Sequence, residues 1–432
     1  MIVYFFLILF LTTWGLILPT HDVTDTISVI GIILTSIVGL YYIVHHFKKK
    51  IVIVLIVAYL VRILILFLDY NGVPILHSGA DTESFYKIAV SNMNNWSGQH
   101  YYLTNYTVFL TYLFKLIGPQ RLFAQYINVI LGIATMVYTY KCLVLTKVSH
   151  KATVIAMWIL AFMPNQVIFS AILLREAIII STFTISLYFL LKWIKKAGLS
   201  TMVLCVFFIV LSSVMHSGML GITIGYLIVF ATYDHRSSSI KFNQQLLIAL
   251  PIILIFMVVL LQSGIATSYL NFLLNPDDMS SSEALLDRVT IESSDAGSAY
   301  LVGINSDSLP KLVLLLPLKV FYFLFSPMPW SWRGISDIIA FVLDSTVFIW
   351  LFWIIYRSKK RKLVSDTQLR DIVHIIMLCT WLSITMYALG TSTAGTAMRH
   401  RANFFPALLT CAMISINTRN TSRNKPIKDT PF

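Results

Sequence analysis

Charged residues are scarce in this chain. Only 12% of its 432 residues are Asp, Glu, Lys or Arg, whereas 57% are apolar, and the mean hydropathy is +0.79. Soluble globular domains carry about 25% charged residues, so this composition excludes an ordinary water-soluble fold. The apolar runs are long and do not alternate with polar residues, which favours helices over the strands of a membrane barrel. The sequence therefore predicts an all-α fold, a polytopic transmembrane helical bundle.

Acidic residues are fewer than basic residues. The chain has 19 Asp and Glu against 32 Lys and Arg, a net charge of +13. The basic residues concentrate in short segments between apolar runs, such as residues 45–50 and 357–362. Cytoplasmic loops of membrane proteins carry this excess, so we attribute the charge to topology and expect no nucleic-acid partner. The same pattern predicts a multi-pass protein of the inner or plasma membrane with both termini in the cytoplasm.

Cysteines and known catalytic motifs are also few. The sequence has no Walker A loop, no HExxH and no nucleophile elbow. Its four cysteines lie in or beside apolar runs without CxxC spacing, which indicates small core residues rather than disulfides or metal ligands. A divalent cation held by His77 and Asp81, four residues apart, is left open, and no other cofactor is expected. The four cysteines are Cys142, Cys205, Cys379 and Cys411.

The apolar runs predict about twelve spans. Two further apolar stretches, residues 104–117 and 311–326, are too short, because about 14 helical residues rise about 21 Å against a core of about 30 Å. We expect them to be re-entrant or interfacial helices in two outer loops. The chain is thus predicted to consist of an N-terminal transmembrane module (1–262) with the first outer, catalytic loop (69–121), a large outer loop with a short helix (263–336), and C-terminal transmembrane helices with a cytoplasmic tail (337–432). Pro164 predicts a kink in its span. The predicted spans are residues 2–19, 27–46, 51–68, 122–145, 152–172, 177–194, 201–215, 218–233, 246–262, 337–356, 372–390 and 402–417.

The first outer loop carries two carboxylates, Asp81 and Glu83, beside the third span. Ser78 is predicted to cap a helix that begins near Gly79, which places Asp81 in the first turn, where the helix dipole favours a charged carboxylate. Residues two apart do not share a helix face, so we expect Asp81 to be the catalytic base and Glu83 to turn away. The alternative is that Asp81 only stabilises the start of the helix.

Two charged pairs or clusters are predicted at the same outer face. Arg175 and Glu176 lie between two spans, where Arg175 either binds a phosphate with Glu176 in support or simply forms a local ion pair. The sequence Arg399-His400-Arg401 suits a pyrophosphate or lipid phosphate, or else lipid headgroups.

Two single residues complete the set of candidate substrate ligands. Arg62 lies about two turns inside its span, where ionisable groups are costly, and it either reaches a headgroup or neutralises a buried phosphate. His77 opens the first outer loop. Both are predicted to contact substrate.

Three segments of this chain resemble membrane-embedded C-type (GT-C) glycosyltransferases. They read GADTESFYKIA at 79–89, FLTYLFKLIG at 109–118, and MPN followed by LRE between 163 and 176. The resemblance covers about residues 60–200, and the usual proline-rich entry to the short helix is absent around 101–106. It implies transfer of a sugar from a polyprenyl-phosphate-linked donor to a glycan or lipid acceptor at the outer face. Asp81 matches the family's catalytic base, and Glu176 its second acidic position.

Two other functions stay open. A polysaccharide polymerase or ligase that joins undecaprenyl-pyrophosphate-linked glycans also has about twelve spans, a large late outer loop and outer arginines such as those at 399–401. A transporter of lipid-linked glycans would need charged groups deep in a pore, where Arg62 is the strongest candidate. Membrane lipids are expected partners in every case.

Overall fold

The computed structural model of this protein describes residues 23–94, 104–235, 239–240, 298–301, 309–361, 364 and 366–417. Within these residues the chain is overwhelmingly helical, which confirms the predicted all-α class. The only β-structure described is an antiparallel pair of two-residue strands, β1 (Tyr233–Asp234) and β2 (Ser239–Ile240), and one isolated bridge between Ala299 and Thr393.

The helices fall into two compact units. The first unit comprises the described residues within 1–137 and 157–181, and the second comprises the described residues within 138–156 and 182–432. The helices are α1 (Val23–His46), α2 (Lys49–Tyr70), α3 (Ala80–Asn94), α4 (Asn105–Ile117), α5 (Arg121–Leu145), α6 (His150–Phe162), α7 (Pro164–Phe169), α8 (Glu176–Lys196), α9 (Leu199–Met215), α10 (Leu220–Thr232), α11 (Leu309–Phe325), α12 (Ile335–Ala340), α13 (Thr346–Lys360), α14 (Thr367–Leu389), α15 (Ala394–Arg401) and α16 (Phe405–Asn417). A π-helical segment, Phe341–Ser345, joins α12 to α13.

Six helices are long and apolar enough to cross a membrane. They correspond to the spans predicted at 27–46, 51–68, 122–145, 177–194, 337–356 and 372–390, and they indicate a membrane protein. The total of twelve is not confirmed, because α9, α10 and α16 are shorter, and the spans predicted at 2–19 and 246–262 lie outside the described residues. The six are Ser28–His46, Lys49–Tyr70, Arg121–Leu145, Glu176–Lys196, Ile335–Lys360 and Thr367–Leu389.

The span predicted at 152–172 is broken into two short helices. Helix α6 ends at Phe162, Met163 is extended with φ −60° and ψ 116°, and Pro164 occupies the first turn of α7. Proline lacks an N–H group and disfavours helical geometry in the preceding residue, so the helix stops and restarts. The predicted kink is present, but one continuous span over these residues is wrong.

The two short apolar stretches form short helices, as predicted. Helix α4 begins where the Thr104 hydroxyl accepts a hydrogen bond from the Thr107 amide at 3.2 Å, and it ends at Gly118, whose φ is +81°. It packs against α3 through the rings of Phe85 and Tyr106, 5.2 Å apart. The second stretch is α11, which contains Pro317. Insertion of either helix into the membrane stays a prediction.

The core of the first unit joins α1, α2 and α5. Ile63 and Leu66 of α2 are fully buried against Tyr126 and Val129 of α5. Ser36 of α1 bonds its hydroxyl to Tyr126 Oη at 2.9 Å. Apolar helices gain little from the hydrophobic effect when lipid surrounds them, so close packing and buried hydroxyl pairs of this kind hold them together.

In the second unit, α10 lies directly on α14 through small residues. A methyl group at Gly221 would lie 2.4 Å from the Cα of Ser383, and one at Gly225 would lie 2.7 Å from Cys379 Sγ. The Ser383 hydroxyl also donates to the Gly218 carbonyl at 2.6 Å. The spacing of Gly221 and Gly225, four residues apart, brings two backbones into contact as in other membrane helix pairs.

We expect Gly221→Ala to lower the free energy of unfolding by about 1 to 3 kcal/mol, because the added methyl must displace the backbone of α14. Unfolding of the purified protein in detergent micelles measures this change. Gly39→Ala is the matched control, since a methyl group there meets no atom within 4 Å. Equal stability of the two variants would contradict the close packing of α10 on α14.

Candidate functional site

An ion-pair network in the first unit joins the ends of α2 and α5 to the first turn of α3. The Glu83 carboxylate pairs with Nη1 of Arg121, the first residue of α5. Arg121 Nη2 lies 3.6 Å from Oδ2 of Asp69, near the end of α2. The side chain of Asp69 is only 2% exposed, whereas those of Arg121 and Glu83 are 20% and 41% exposed. The network therefore runs from the interior of the unit to its surface.

Asp69 is the buried centre of this network. It accepts hydrogen bonds from Gln125 Nε2, at 2.5 Å, and from the Ser78 hydroxyl. The prediction that Ser78 caps α3 is wrong, because α3 begins at Ala80, so Gly79 is the residue that precedes the helix, and the Ser78 hydroxyl donates to Asp69. At the start of α3 the Gly79 amide instead donates to Thr82 Oγ1 at 3.0 Å, and the Gly79 carbonyl accepts from the Glu83 amide.

Asp81 lies in the first turn of α3, as predicted, and its side chain is exposed. Glu83, two residues on, faces Arg121. A carboxylate in solvent contact is accessible to an incoming hydroxyl and can accept its proton. The geometry therefore separates the two acids, with Asp81 as the accessible one.

Aromatic rings surround the partly exposed side of the network. Arg121 lies over the ring of Tyr86, 5.8 Å from its centre, and the Tyr86 hydroxyl donates to the Pro119 carbonyl at 3.1 Å. Tyr86 also meets the ring of Phe114 of α4 at 5.7 Å. These contacts fix the first half of α3 against α4 and the start of α5, so the Asp81 turn has a defined position.

Arg175 and Glu176 form a corner before α8, in which Glu176 is buried and Arg175 is 17% exposed. Arg175 Nε lies 3.8 Å from Oε1 of Glu176, the first residue of α8, whose side chain has no exposed surface. Asn128 Nδ2 donates to the carbonyls of Ile172 and Leu174, at 2.7 and 2.9 Å, and so positions the corner. An acceptor reaches the Glu176 carboxylate only if this corner opens.

Tyr106 connects the corner to α3. Burial raises the pKa of the Tyr106 phenol, a hydrogen bond with Asn128 lowers it, and the charge of Glu176 raises it again, so the pKa stays above its ordinary value. The phenol is therefore protonated at neutral pH. Tyr106 thus contacts Phe85 of the Asp81 helix on one side and Asn128, which positions the Arg175–Glu176 corner, on the other.

Arg62 is turned into the first unit. Its Nε donates to the Ser170 hydroxyl at 2.8 Å and its Nη1 to the Ala58 carbonyl at 3.1 Å. Ser170 and Arg62 both pack against Gly132. A Cβ atom added to this glycine would lie 2.5 Å from Ser170 Cβ and 3.0 Å from Arg62 Nε. The adjoining cavity of about 10 Å³ holds about one water molecule. A phosphate contacts Arg62 only if the helices separate.

His77 precedes α3 in a left-handed conformation, with φ +66°. Its ring meets that of Phe169 at 5.1 Å. His77 lies outside the first turn of α3, which begins at Ala80, so His77 and Asp81 do not share a helical turn. That these two residues hold a divalent cation stays a prediction. Within the described part of the chain no three metal-ligating side chains cluster.

Arg401, in the second unit, is held by a complete set of partners. Its Nε donates to Asp344 Oδ2 at 2.6 Å, and its Nη2 contacts the same carboxylate and the Ser345 hydroxyl. Its Nη1 donates to the carbonyls of Phe323 and Leu324, at 3.2 and 3.0 Å. The five N–H groups of a guanidinium are thereby occupied. A phosphate could bind Arg401 only by displacing one of these partners.

His400 belongs to a cluster of rings in the second unit. Its ring centre lies 4.5 Å from that of His216 and 4.7 Å from that of Tyr387, and its Nδ1 is 3.3 Å from the Thr391 hydroxyl. Asn403 Nδ2 donates to the Tyr387 hydroxyl at 3.1 Å. Arg399, which precedes His400 in the chain, is half-buried. That Arg399, His400 and Arg401 contact substrate stays a prediction.

Sequence reasoning assigned no role to Asp69 or Asp344, although both carry networks. Each had a visible signal, since Asp69 ends a long apolar run and Asp344 interrupts one. The prediction that the cysteines are core residues is confirmed, because all four are free and buried.

Comparisons with protein-family models, with curated proteins and with solved structures find no match for this chain.

Proposed function

We propose that this chain is an integral membrane glycosyltransferase that uses a polyprenyl-phosphate-linked sugar donor and Asp81 as its catalytic base. One observation carries the proposal. An exposed carboxylate stands in the same turn as the Glu83–Arg121–Asp69 network, at the ends of two helices that are long enough to cross a membrane. A lipid-linked donor and a hydrophilic acceptor meet at such a boundary.

The chemistry assigns each group one task. The acceptor hydroxyl attacks the anomeric carbon of the donor, the bond from that carbon to the phosphate oxygen breaks, and the hydroxyl proton passes to Asp81. The lipid phosphate leaves with the bonding electrons. Because an aligned base lowers the barrier only when it holds its position, the fixed first turn of α3 contributes to the rate.

The residues around Asp81 have a net negative charge, and this distinguishes the acceptor side of the proposed site from the donor side. Asp69, Asp81 and Glu83 carry three negative charges against one positive charge on Arg121, a net charge of −2. This favours a sugar hydroxyl over a phosphate. We assign the leaving phosphate to Arg175, which is 17% exposed and pairs with Glu176 at 3.8 Å. A guanidinium there would stabilise the developing charge.

A polymerase that joins pyrophosphate-linked glycans is the second candidate. It is favoured by the His216–His400 contact in the second unit, because an imidazole can act as a proton acceptor near neutral pH. The two candidates differ in product, since a transferase adds one sugar and a polymerase changes the length of a glycan chain.

The experiment is a transfer assay with purified protein in lipid nanodiscs. Radiolabelled sugars on polyprenyl phosphate are offered with a glycan or lipid acceptor, and both labelled product and released polyprenyl phosphate are quantified. The proposal predicts equal molar amounts of the two. A parallel assay offers glycans on polyprenyl pyrophosphate, where longer glycan chains with released polyprenyl pyrophosphate would favour the polymerase. Movement of intact lipid-linked sugar across a vesicle membrane without a new bond would overturn both.

A further inference from the structure

A large apolar groove lies in the second unit, among α11, α13 and α14. Its volume is about 970 Å³. Its walls are exposed to the surroundings, with Tyr356 63% and Trp381 40% accessible. Pockets of this size accommodate whole small molecules with long apolar parts. The apolar walls include Phe321, Leu324, Phe352, Ile355, Leu378 and Trp381.

One end of the groove is basic. Lys359, in the last turn of α13, and Arg370, in the first turn of α14, both line it and are both exposed. His374 follows Arg370 by one helical turn and lines it as well. These three residues flank the short connection between α13 and α14, so they lie at the same end.

The other charges around this end leave it positive. The carboxylate of Asp366 caps α14 by accepting from the Leu369 amide at 3.2 Å, and Asp371 is half-buried on α14. The last turn of α13 adds Arg357, Lys360 and the following Arg361 to the cations, and Arg357 lies over the Trp353 ring at 5.0 Å. Five Lys and Arg residues and only two carboxylates therefore lie in the helix turns around this end.

We infer that this groove binds a phospholipid whose headgroup carries a net negative charge. The acyl chain lies along the apolar walls of α11, α13 and α14, and the phosphate contacts Lys359 and Arg370. Basic pockets between membrane helices recognise lipid phosphates through this combination of charge and apolar contact. The inference does not depend on transferase activity. Positive-inside topology places this basic end at the cytoplasmic face, whereas the sugar donor is expected at the outer face.

The test is lipid retention by the purified protein, measured by native mass spectrometry. The protein is equilibrated with equal amounts of phosphatidylglycerol and phosphatidylcholine that carry the same acyl chains. We expect phosphatidylglycerol to be retained preferentially. Each basic residue beside an anionic headgroup contributes roughly a fivefold factor, so Lys359→Gln with Arg370→Gln should reduce the preference by roughly twenty-fivefold.

Two further variants keep the result interpretable. Lys49→Gln with Lys50→Gln removes the same charge from exposed residues at the start of α2, which do not line the groove, and should leave the preference unchanged. Val320→Trp fills the groove and should release the lipid although the basic end persists. Equal retention of the two lipids by the unmodified protein, equal loss in both double variants, or full retention after Val320→Trp would overturn the inference.

Discussion

Replacing Asp344 by alanine is expected to lower the free energy of unfolding by about 3 to 5 kcal/mol. The Arg401 guanidinium and the Asp344 carboxylate are both buried, with side-chain exposures of 0% and 5%. Removing the carboxylate leaves a positive charge inside the second unit without its counter-ion. Carbonyl groups and the Ser345 hydroxyl still contact the guanidinium, but they carry no full charge. The measurement is reversible unfolding of the purified protein in mixed micelles.

A second ion pair in the same unit supplies the control. Asp337 pairs with Arg333, four residues earlier and before the start of α12, at 3.0 Å, and the Arg333 side chain is 51% exposed. Solvent can hydrate Arg333 when its partner is lost, so Asp337→Ala should cost only about 1 kcal/mol. Combining Asp344→Leu with Arg401→Met removes both buried charges and should recover much of the stability lost in Asp344→Ala. Equal losses for Asp344→Ala and Asp337→Ala would contradict a buried, uncompensated charge.

The pairing of Asp344 with Arg401 could not be predicted from the sequence. The cluster Arg399-His400-Arg401 stands out because cations are rare near apolar segments, and Asp344 interrupts the run predicted at 337–356. Their pairing spans 57 positions and depends on the π-helical segment that turns Asp344 toward α15. No local pattern specifies such a segment, so Arg401 was interpreted as a substrate ligand rather than as an internal link.

Long helices were predictable where one physical cause dominates. Runs of apolar residues bounded by basic clusters predict α1, α2, α5, α8 and α14 to within a few residues. The break at Pro164 was visible as well, because proline has a fixed local effect. The shortness of α16 was not predictable, since the 3₁₀ turn Ala402–Phe404 before it is set by packing in a fully buried environment.

The sequence predicted the position of Asp81 on its helix but not the side-chain contacts around it. Asp81 in the first turn of α3 follows from the sequence. The side chains that hold that turn do not, because Ser78 contacts Asp69 instead of capping the helix, and Glu83 reaches Arg121, 38 positions away. These choices depend on how α2, α3 and α5 meet, and propensities of single residues carry no information about it.

The second large effect concerns Asp81. Asp81→Asn should reduce the rate of sugar transfer by about 10² to 10⁴, the usual contribution of a positioned general base. An amide has nearly the shape of the carboxylate but cannot take up the acceptor proton. Because Asp81 is exposed, the substitution should leave the stability of the fold within about 0.5 kcal/mol. Unfolding measurements on the same preparation separate the two effects.

Glu83→Gln and Asp371→Asn are the comparison variants for Asp81→Asn. Glu83 is already paired with Arg121, so its loss should weaken the network and reduce the rate less than Asp81→Asn does. Asp371 lies on α14 in the second unit and makes the same carboxylate-to-amide change outside the proposed site. A larger loss of rate in Glu83→Gln than in Asp81→Asn would move the base from Asp81 to Glu83.

The most direct measurement is the initial rate of sugar transfer from a labelled polyprenyl-phosphate donor, with the unmodified protein and Asp81→Asn reconstituted side by side in nanodiscs. If Asp81 is the base of a membrane-embedded transferase, the unmodified protein forms product with equimolar release of polyprenyl phosphate. The folded Asp81→Asn variant is then at least about a hundredfold slower. Transfer by the variant at the unmodified rate would contradict this assignment.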